Sequence, residues 1–347
     1  MAFRVGQETI DLLIEENRID VDSIEPLRVD GLSEGTRVFR VRGFPKSLNA
    51  FIVDTEAGAR IASVPELVGE EFLEENLKVS EDAVRAMVQL VELEEPVVFL
   101  HVLRASMGYR LHEALRGLGV ELAEAYVRVR YATYSYRDHV ARRVEVVYKD
   151  FERVPRDCAT LIVADTVATG ASLEAALKTA YEELSARNAN LGRIVLYGFL
   201  SAEGLERVRK LASDMTKEIC AFAMQDITPL AHNRYDMPLY GPDESLWKEK
   251  GRLEMLGAIV DRGTLERMLP DYAPGMDQPG DWSERQPTLY NGYGYERGDI
   301  AGHLEKSLSL LETLRDLSRE TSWYGPWVEE VFDKRRRGLL EALSKYR

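Results

Sequence analysis

Two cysteines, five histidines and no apolar run long enough to cross a bilayer set the first limits on this 347-residue chain. Cys158 and Cys220 sit in apolar, strand-like surroundings, Cys158 at a strand entrance, which predicts reduced buried thiols rather than a disulfide framework. His101, His112, His139, His232 and His303 are scattered, with no i, i+4 pair and no Cys-x-x-Cys, so no protein-ligated metal is expected. His112-Glu113 lacks the second histidine of a zincin helix. A Gly-x-Ser-x-Gly elbow and a Walker loop are also missing.

Basic residues are outnumbered, 45 Lys and Arg against 59 Asp and Glu. The formal net charge of -14 argues against a broad nucleic-acid footprint, so nucleic acid is not an expected partner. The first twenty residues, MAFRVGQETIDLLIEENRID, carry acids where a signal peptide needs an unbroken apolar core, and the expected location is the cytoplasm, with no membrane partner. What is present is a 45% apolar, 30% charged composition, that of a chain with enough apolar surface to fold on itself. No internal repeat or low-complexity tract is visible.

Short apolar runs alternate with helical stretches between Pro96 and about Met224. VVFLHVL (97–103), LAEAYVRVR (122–130), TLIVA (160–164), RIVLYGFL (193–200) and ICAFAM (219–224) are the strand candidates. Several of these runs are apolar on consecutive positions, as in parallel strands covered on both faces. The expected fold class is therefore α/β, a mostly parallel sheet with flanking helices. Upstream, the pattern predicts a helix near 6–17, strands at RVFRVR and NAFIVD, and a helix near 80–94. Between Pro270 and Asp299, four prolines, five glycines and four tyrosines mark a long irregular segment, either a packed functional loop or a linker. Trp282, Tyr290, Tyr293 and Tyr295 within it either pack the loop onto the fold or stack on bases. Helices are expected at 303–320 and 325–346, and the run Lys334 to Arg337 reads as a solvated helix face. The expected organisation is an N-terminal embellishment (1–95), a core (96–245), and an irregular segment with a helical C-terminal extension (246–347).

The chemistry concentrates at LIVADTVATGAS (161–172). A buried strand delivers Asp165 and Thr166, and Ala168, Thr169, Gly170, Ala171 and Ser172 then open a helix. Small side chains let backbone N–H groups approach phosphate oxygens, the hydroxyls of Thr169 and Ser172 add donors, and the helix N-terminus supplies positive potential. An ordinary strand-to-helix turn capped by Ser or Thr is the competing reading.

Three more segments fall in a meaningful order. Leu103-Arg104-Ala105-Ser106-Met107-Gly108 ends one strand, Tyr136-Arg137-Asp138 precedes VEVVYK, and Tyr235-Asp236-Met237-Pro238-Leu239-Tyr240-Gly241 lies downstream. Together with 161–172 they resemble the type I phosphoribosyltransferases, most closely the uracil enzymes, over residues 97–243. The resemblance implies transfer of a 5-phosphoribosyl group from phosphoribosyl pyrophosphate (PRPP) to a nitrogenous base, a uracil-like pyrimidine, in nucleotide salvage. It also implies magnesium (Mg2+) carried by the substrate, and a homo-oligomer, a dimer. By the same resemblance Asp165 holds a ribose hydroxyl, Thr166 and Ala168 to Ser172 bind phosphate, and Arg104, Ala105 and Ser106 hold pyrophosphate. Arg137 closes over the pyrophosphate, while Tyr235, Met237, Pro238, Gly241 and Asp243 form the base site.

Two departures stand beside it. The family usually places two acids before the small-residue loop; here Ala164 holds the first position and Asp165 the second, whereas the uracil enzymes keep the first. Pro242 separates Gly241 from Asp243, where the family's acid follows the glycine directly. A transferase for a purine or modified base is one alternative, and a PRPP- or nucleotide-sensing regulator of the same fold is the other.

Overall fold

A computed structural model describes residues 5–132, 143–157 and 160–347. Helix α1 (Gln7–Asn17) precedes strands β1 (Ile24–Leu27), β2 (Arg37–Val41) and β3 (Leu48–Asp54). Helices α2 (Glu56–Ser63) and α3 (Gly69–Leu90) lead into β4 (Val97–Leu103), α4 (Leu111–Gly117), β5 (Leu122–Ala132) and β6 (Arg143–Asp150). Next come β7 (Thr160–Ala164), α5 (Ala171–Ser185), β8 (Arg193–Ser201), α6 (Ala202–Ala212) and β9 (Glu218–Thr228). The remainder holds β10 (Tyr240–Pro242), α7 (Glu244–Lys250), β11 (Met255–Gly257), α8 (Arg262–Met268), β12 (Leu289–Tyr290), β13 (Tyr295–Glu296), α9 (Ile300–Ser318) and α10 (Pro326–Tyr346).

Nine strands form one sheet in the order β1-β2-β3-β9-β8-β7-β4-β5-β6. Every pairing from β3 to β5 is parallel, and antiparallel strands close both edges. This is the expected α/β class, with α9 and α10 as its helical C-terminal extension. Residues upstream of 95 do more than brace it, because β3 pairs in parallel with β9 and continues the sheet.

All seven residues of β4 and all five of β7 are buried, which is why these runs are apolar without alternation. Successive residues still serve opposite faces. Phe99, Ile162 and Val195 belong to one core cluster, which also holds residues of α3, α4, α9 and α10, whereas Val98, Leu161 and Leu196 belong to another, with Leu173 and Leu177 of α5 and Leu205 and Val208 of α6. Each such side chain contributes about 1.5–3 kcal/mol by leaving water.

Helix α3 begins at Gly69, well before the expected residue 80, because polar groups interrupt its stripe. Asn76 Nδ2 donates to Phe72 O at 2.8 Å, Ser80 Oγ to Tyr109 O at 2.6 Å, and Asp82 accepts from Ser33 and Thr36. Most of these buried polar atoms are bonded, the Asn76 amide oxygen excepted, so they cost the helix little while hiding its period. Arg335 likewise departs from the solvated face expected of the basic run: it is 4% exposed and pairs with Asp271 and Glu66. Among the described residues, no helix is long and apolar enough to cross a membrane.

Candidate functional site

The carboxyl ends of β4 and β7 meet over a cavity of about 310 Å³. Its wall is drawn from five stretches of chain: Val102 to Ala105, Val129 and Tyr131 of β5, Asp165 to Leu173, Arg234 and Tyr235, and Asp277 with Pro279 to Glu284. Crevices at the carboxyl ends of parallel strands are where open α/β sheets bind ligands.

The stretch after β7 is fixed by its neighbour. Asp165 N donates to Tyr197 O at 3.0 Å and Val167 N to Phe199 O at 2.8 Å, so the backbone runs on beside β8. Gly198 makes that possible: a Cβ there would lie 2.2 Å from Asp165 O, and its φ of +135° favours glycine. Gly170, at φ +74°, turns the chain into α5 without a side-chain cap. Thr169 Oγ1 accepts from Ala171 N at 3.4 Å, and Ala171, Ser172 and Leu173, the first turn of this 15-residue helix, line the cavity. Thr166 is held from behind by Tyr109, with 2.6 Å between their oxygens.

Asp165 is buried on the cavity wall. Its Oδ1 accepts from Thr166 N at 2.9 Å, and Oδ2 has no partner among the described residues. Burial pushes its carboxyl up to about 7, and the Thr166 N–H offsets only part of that. It therefore exchanges a proton near neutrality.

Arg104 follows a cis peptide at Leu103 and reaches into the cavity wall. Its guanidinium is taken by two carboxylates, Glu284 at 2.7 Å and Glu296 at 2.6 Å. The Arg104 bond, with help from Asn291, holds Glu296 below the usual carboxylate range. Ala105 lines the cavity and its carbonyl accepts from Trp282 Nε1 at 3.2 Å. Ser106 does not line it: the side chain is fully buried, 3.4 Å from His101 Nδ1. Tyr136, Arg137 and Asp138 lie outside the described residues, as does Cys158. Cys220 is buried, and burial pushes its thiol up to about 12.

The segment expected to read a base is closed by the chain itself. Met237 N donates to Asp277 Oδ1 at 2.7 Å, Met237 O accepts from Gln278 N at 3.3 Å, and Leu239 N donates to the Tyr272 hydroxyl at 2.8 Å. Leu239 O accepts from Ala258 N at 2.9 Å and Tyr240 O from Gly275 N at 2.7 Å. Pro238 bridges to Asp277, and a Cβ on Gly241 would lie 2.2 Å from Gly275 N. Asp243 caps α7, accepting from Leu246 N at 3.0 Å and His232 N at 2.8 Å. Of that expected site only Tyr235 lines the cavity; Met237, Pro238, Gly241 and Asp243 do not.

In their place stands 277–284, which motif matching had no means of finding. Trp282 is packed, stacking on Tyr109 with centroids 4.1 Å apart and meeting Phe72 edge-on at 4.8 Å. Arg285 anchors the segment. Fully buried, it donates to the carbonyls of Ile61, Val64, Leu67, Gln278 and Pro279 at 3.0–3.4 Å. Asp277 is 8% exposed, and burial together with Asp236 raises its carboxyl well above the ordinary range.

Other titratable clusters are structural. His101 and His112 pack 4.9 Å apart, and burial depresses His112 to about 4, so both rings are neutral. Among the described residues, no group of three or more His, Cys, Asp or Glu is placed to hold a metal ion.

No family model matches the chain, and no curated protein matches it either. Solved structures of phosphoribosyltransferases do. An adenine phosphoribosyl transferase from Trypanosoma brucei is 13% identical, covering 54% of this chain and 87% of its own, with a TM-score of 0.35. A hypoxanthine phosphoribosyltransferase from Staphylococcus aureus is 14% identical over 44% of this chain and 76% of its own, TM-score 0.29. The hypoxanthine-guanine enzyme of L. donovani is 11% identical over 46% and 81%, TM-score 0.28. The likeness is partial and concerns the course of the chain.

Proposed function

We propose that this protein transfers the 5-phosphoribosyl group of PRPP to a nitrogenous base and releases pyrophosphate. The observation that carries the reading is the convergence on one cavity of the Arg104–Ala105 turn and, some sixty residues later in the sequence, the stretch from Asp165 to the α5 N-terminus. In this scheme the N–H groups of 168–172 and the hydroxyls of Thr169 and Ser172 hold the 5'-phosphate. Asp165 Oδ2 accepts from a ribose hydroxyl. Arg104, once its glutamates swing aside, binds pyrophosphate. Arg137 covers it, as the resemblance implies, and Trp282 floors the cavity and keeps water out.

The reaction breaks the bond from the anomeric carbon to the pyrophosphate oxygen and forms one to a base nitrogen, which gives up its proton. Positive charge on the ribose and negative charge on the leaving group build together, so positioning and electrostatics are the protein's task. Magnesium would enter with PRPP and shield its pyrophosphate; Asp165 Oδ2 and Glu284 are cavity-wall oxygens of the hard type that suits it. A uracil preference would need the backbone of 237–241, whose groups are bonded within the chain, so the acceptor is left at the level of a nitrogenous base.

The test is PRPP-dependent pyrophosphate release across a panel of free bases, with Asp165→Asn as control. Release that requires a base and falls at least tenfold in the variant supports the reading. Tight PRPP binding without release under any base would leave a sensor. Absence of PRPP binding would sink the phosphoribosyl assignment.

A further inference from the structure

Resting on the proposed transferase reading, we infer that Arg234 is a ligand of the donor's 5'-phosphate, the cation that meets the dianion at the turn into α5. Arg234 lies far downstream of that turn in sequence, and α6 brings the two together. Ser201 Oγ donates to Ala168 O at 2.6 Å and accepts from Gly204 N at 2.9 Å, so one hydroxyl both caps α6 and holds the loop before α5. A Cβ on Gly204 would lie 2.5 Å from Ala168 O, and one on Gly170 would lie 3.1 Å from Gly204 O. Glu203, between Ser201 and Gly204 in the first turn of α6, takes the Arg234 guanidinium. Arg234 is thereby held on the wall of the same cavity that 168–172 line.

Among the described residues, two arginines line this cavity, and they stand in unequal states. The Arg104 side chain is 31% exposed and bonded to two carboxylates, Glu284 and Glu296. The Arg234 side chain is 57% exposed, and its partner is Glu203, itself 44% exposed. An ion pair so open to water contributes little, whereas a phosphate offers the guanidinium two negative charges and three acceptor oxygens. Arg234 therefore exchanges Glu203 for a phosphate readily. The pyrophosphate end of the donor must displace both glutamates from Arg104; the 5'-phosphate end meets no such barrier.

The backbone at this position points the same way. Arg234 has a φ of +66°, in the left-handed region that suits glycine or asparagine. Its N–H donates to Ala231 O at 2.9 Å, and Asn233 Oδ1 accepts from Tyr235 N at 2.9 Å and Asp236 N at 3.0 Å, which fixes the turn. A long cationic side chain at a position shaped for glycine is locally unfavourable, and an anion for that side chain is the use that offsets it.

Calorimetry with PRPP, ribose 5-phosphate and inorganic pyrophosphate tests this. Arg234→Gln should weaken PRPP and ribose 5-phosphate by about tenfold or more and leave pyrophosphate within about twofold. Glu203→Gln frees the guanidinium and should tighten ribose 5-phosphate about two- to threefold. Arg234→Gly relieves the left-handed backbone, so its urea midpoint should not fall below that of wild type, while ribose 5-phosphate is lost as in the glutamine variant. That pairing separates a missing ligand contact from damaged structure. Unchanged ribose 5-phosphate affinity in either Arg234 variant, or an equal loss for pyrophosphate, overturns the inference while leaving the transferase reading intact. Wild-type protein that binds neither PRPP nor ribose 5-phosphate overturns the transferase reading, and this inference with it.

Discussion

Arg104 Nη2 lies 2.7 Å from Glu284 Oε1, so the cation best placed for a pyrophosphate already holds an internal anion, with Glu296 on its other nitrogen. A ligand must displace both. Neutralising either carboxylate should therefore strengthen anion binding. Glu284→Gln and Glu296→Gln are each expected to tighten pyrophosphate about three- to tenfold by calorimetry, with a steeper salt dependence than wild type. Equal or weaker binding in both variants would mean that Arg104 does not meet the ligand.

Asp165 should leave a signature in the pH dependence of stability. Its folded carboxyl titrates near 7 against 3.8 for the ordinary group, so between these values the folded chain holds a proton that the unfolded chain has lost. Stability from this group is intact below about pH 4 and declines as pH rises to about 7, by on the order of 4 kcal/mol. Asp165→Asn keeps the acceptor for Thr166 N and removes the titration. Urea unfolding should find the variant more stable than wild type at pH 8, with the gap closing toward pH 4.

Removing Trp282 tests the cavity floor. Trp282→Ala deletes a side chain 4% exposed and stacked on Tyr109, and a loss of about 3–5 kcal/mol is expected from denaturant unfolding. The Ala105 carbonyl loses its indole donor at the same time, so any PRPP affinity should fall beyond what stability accounts for.

For Arg285, the expectation concerns chemistry more than charge. Arg285→Lys retains a cation, yet an ammonium cannot reach five carbonyls spread over two segments. The variant should lose more than about 3 kcal/mol in the same unfolding measurement. Burial lowers the arginine itself to about 9, still charged at neutral pH.

Much of the scaffold was legible in the sequence, because parallel strands buried on both faces write themselves as unbroken apolar runs: β4 and β7 coincide with VVFLHVL and TLIVA. The small-residue turn into α5 was legible for a related reason, since its small residues and the turn at Gly170 are local needs of the backbone. The remaining wall was not. Asp277, Trp282 and Arg285 gain their meaning from contacts with residues at least 40 positions away, such as Met237, Ala105 and Leu67, and such contacts leave no period or motif. The surroundings of Met237 to Gly241 were hidden for the same reason, since only the fold reveals that 272–278 covers them.

The Arg285 anchor also has a consequence for the order of events during synthesis. The turn at Gly170 leaves the ribosome about 110 residues before Trp282, a delay on the order of ten seconds. Until then the Gly170 turn and the start of α5 stand beside an unfinished floor, and the carbonyls of α2 and its following loop lack their Arg285 donor. The cavity thus comes into being only after 277–285 has been made.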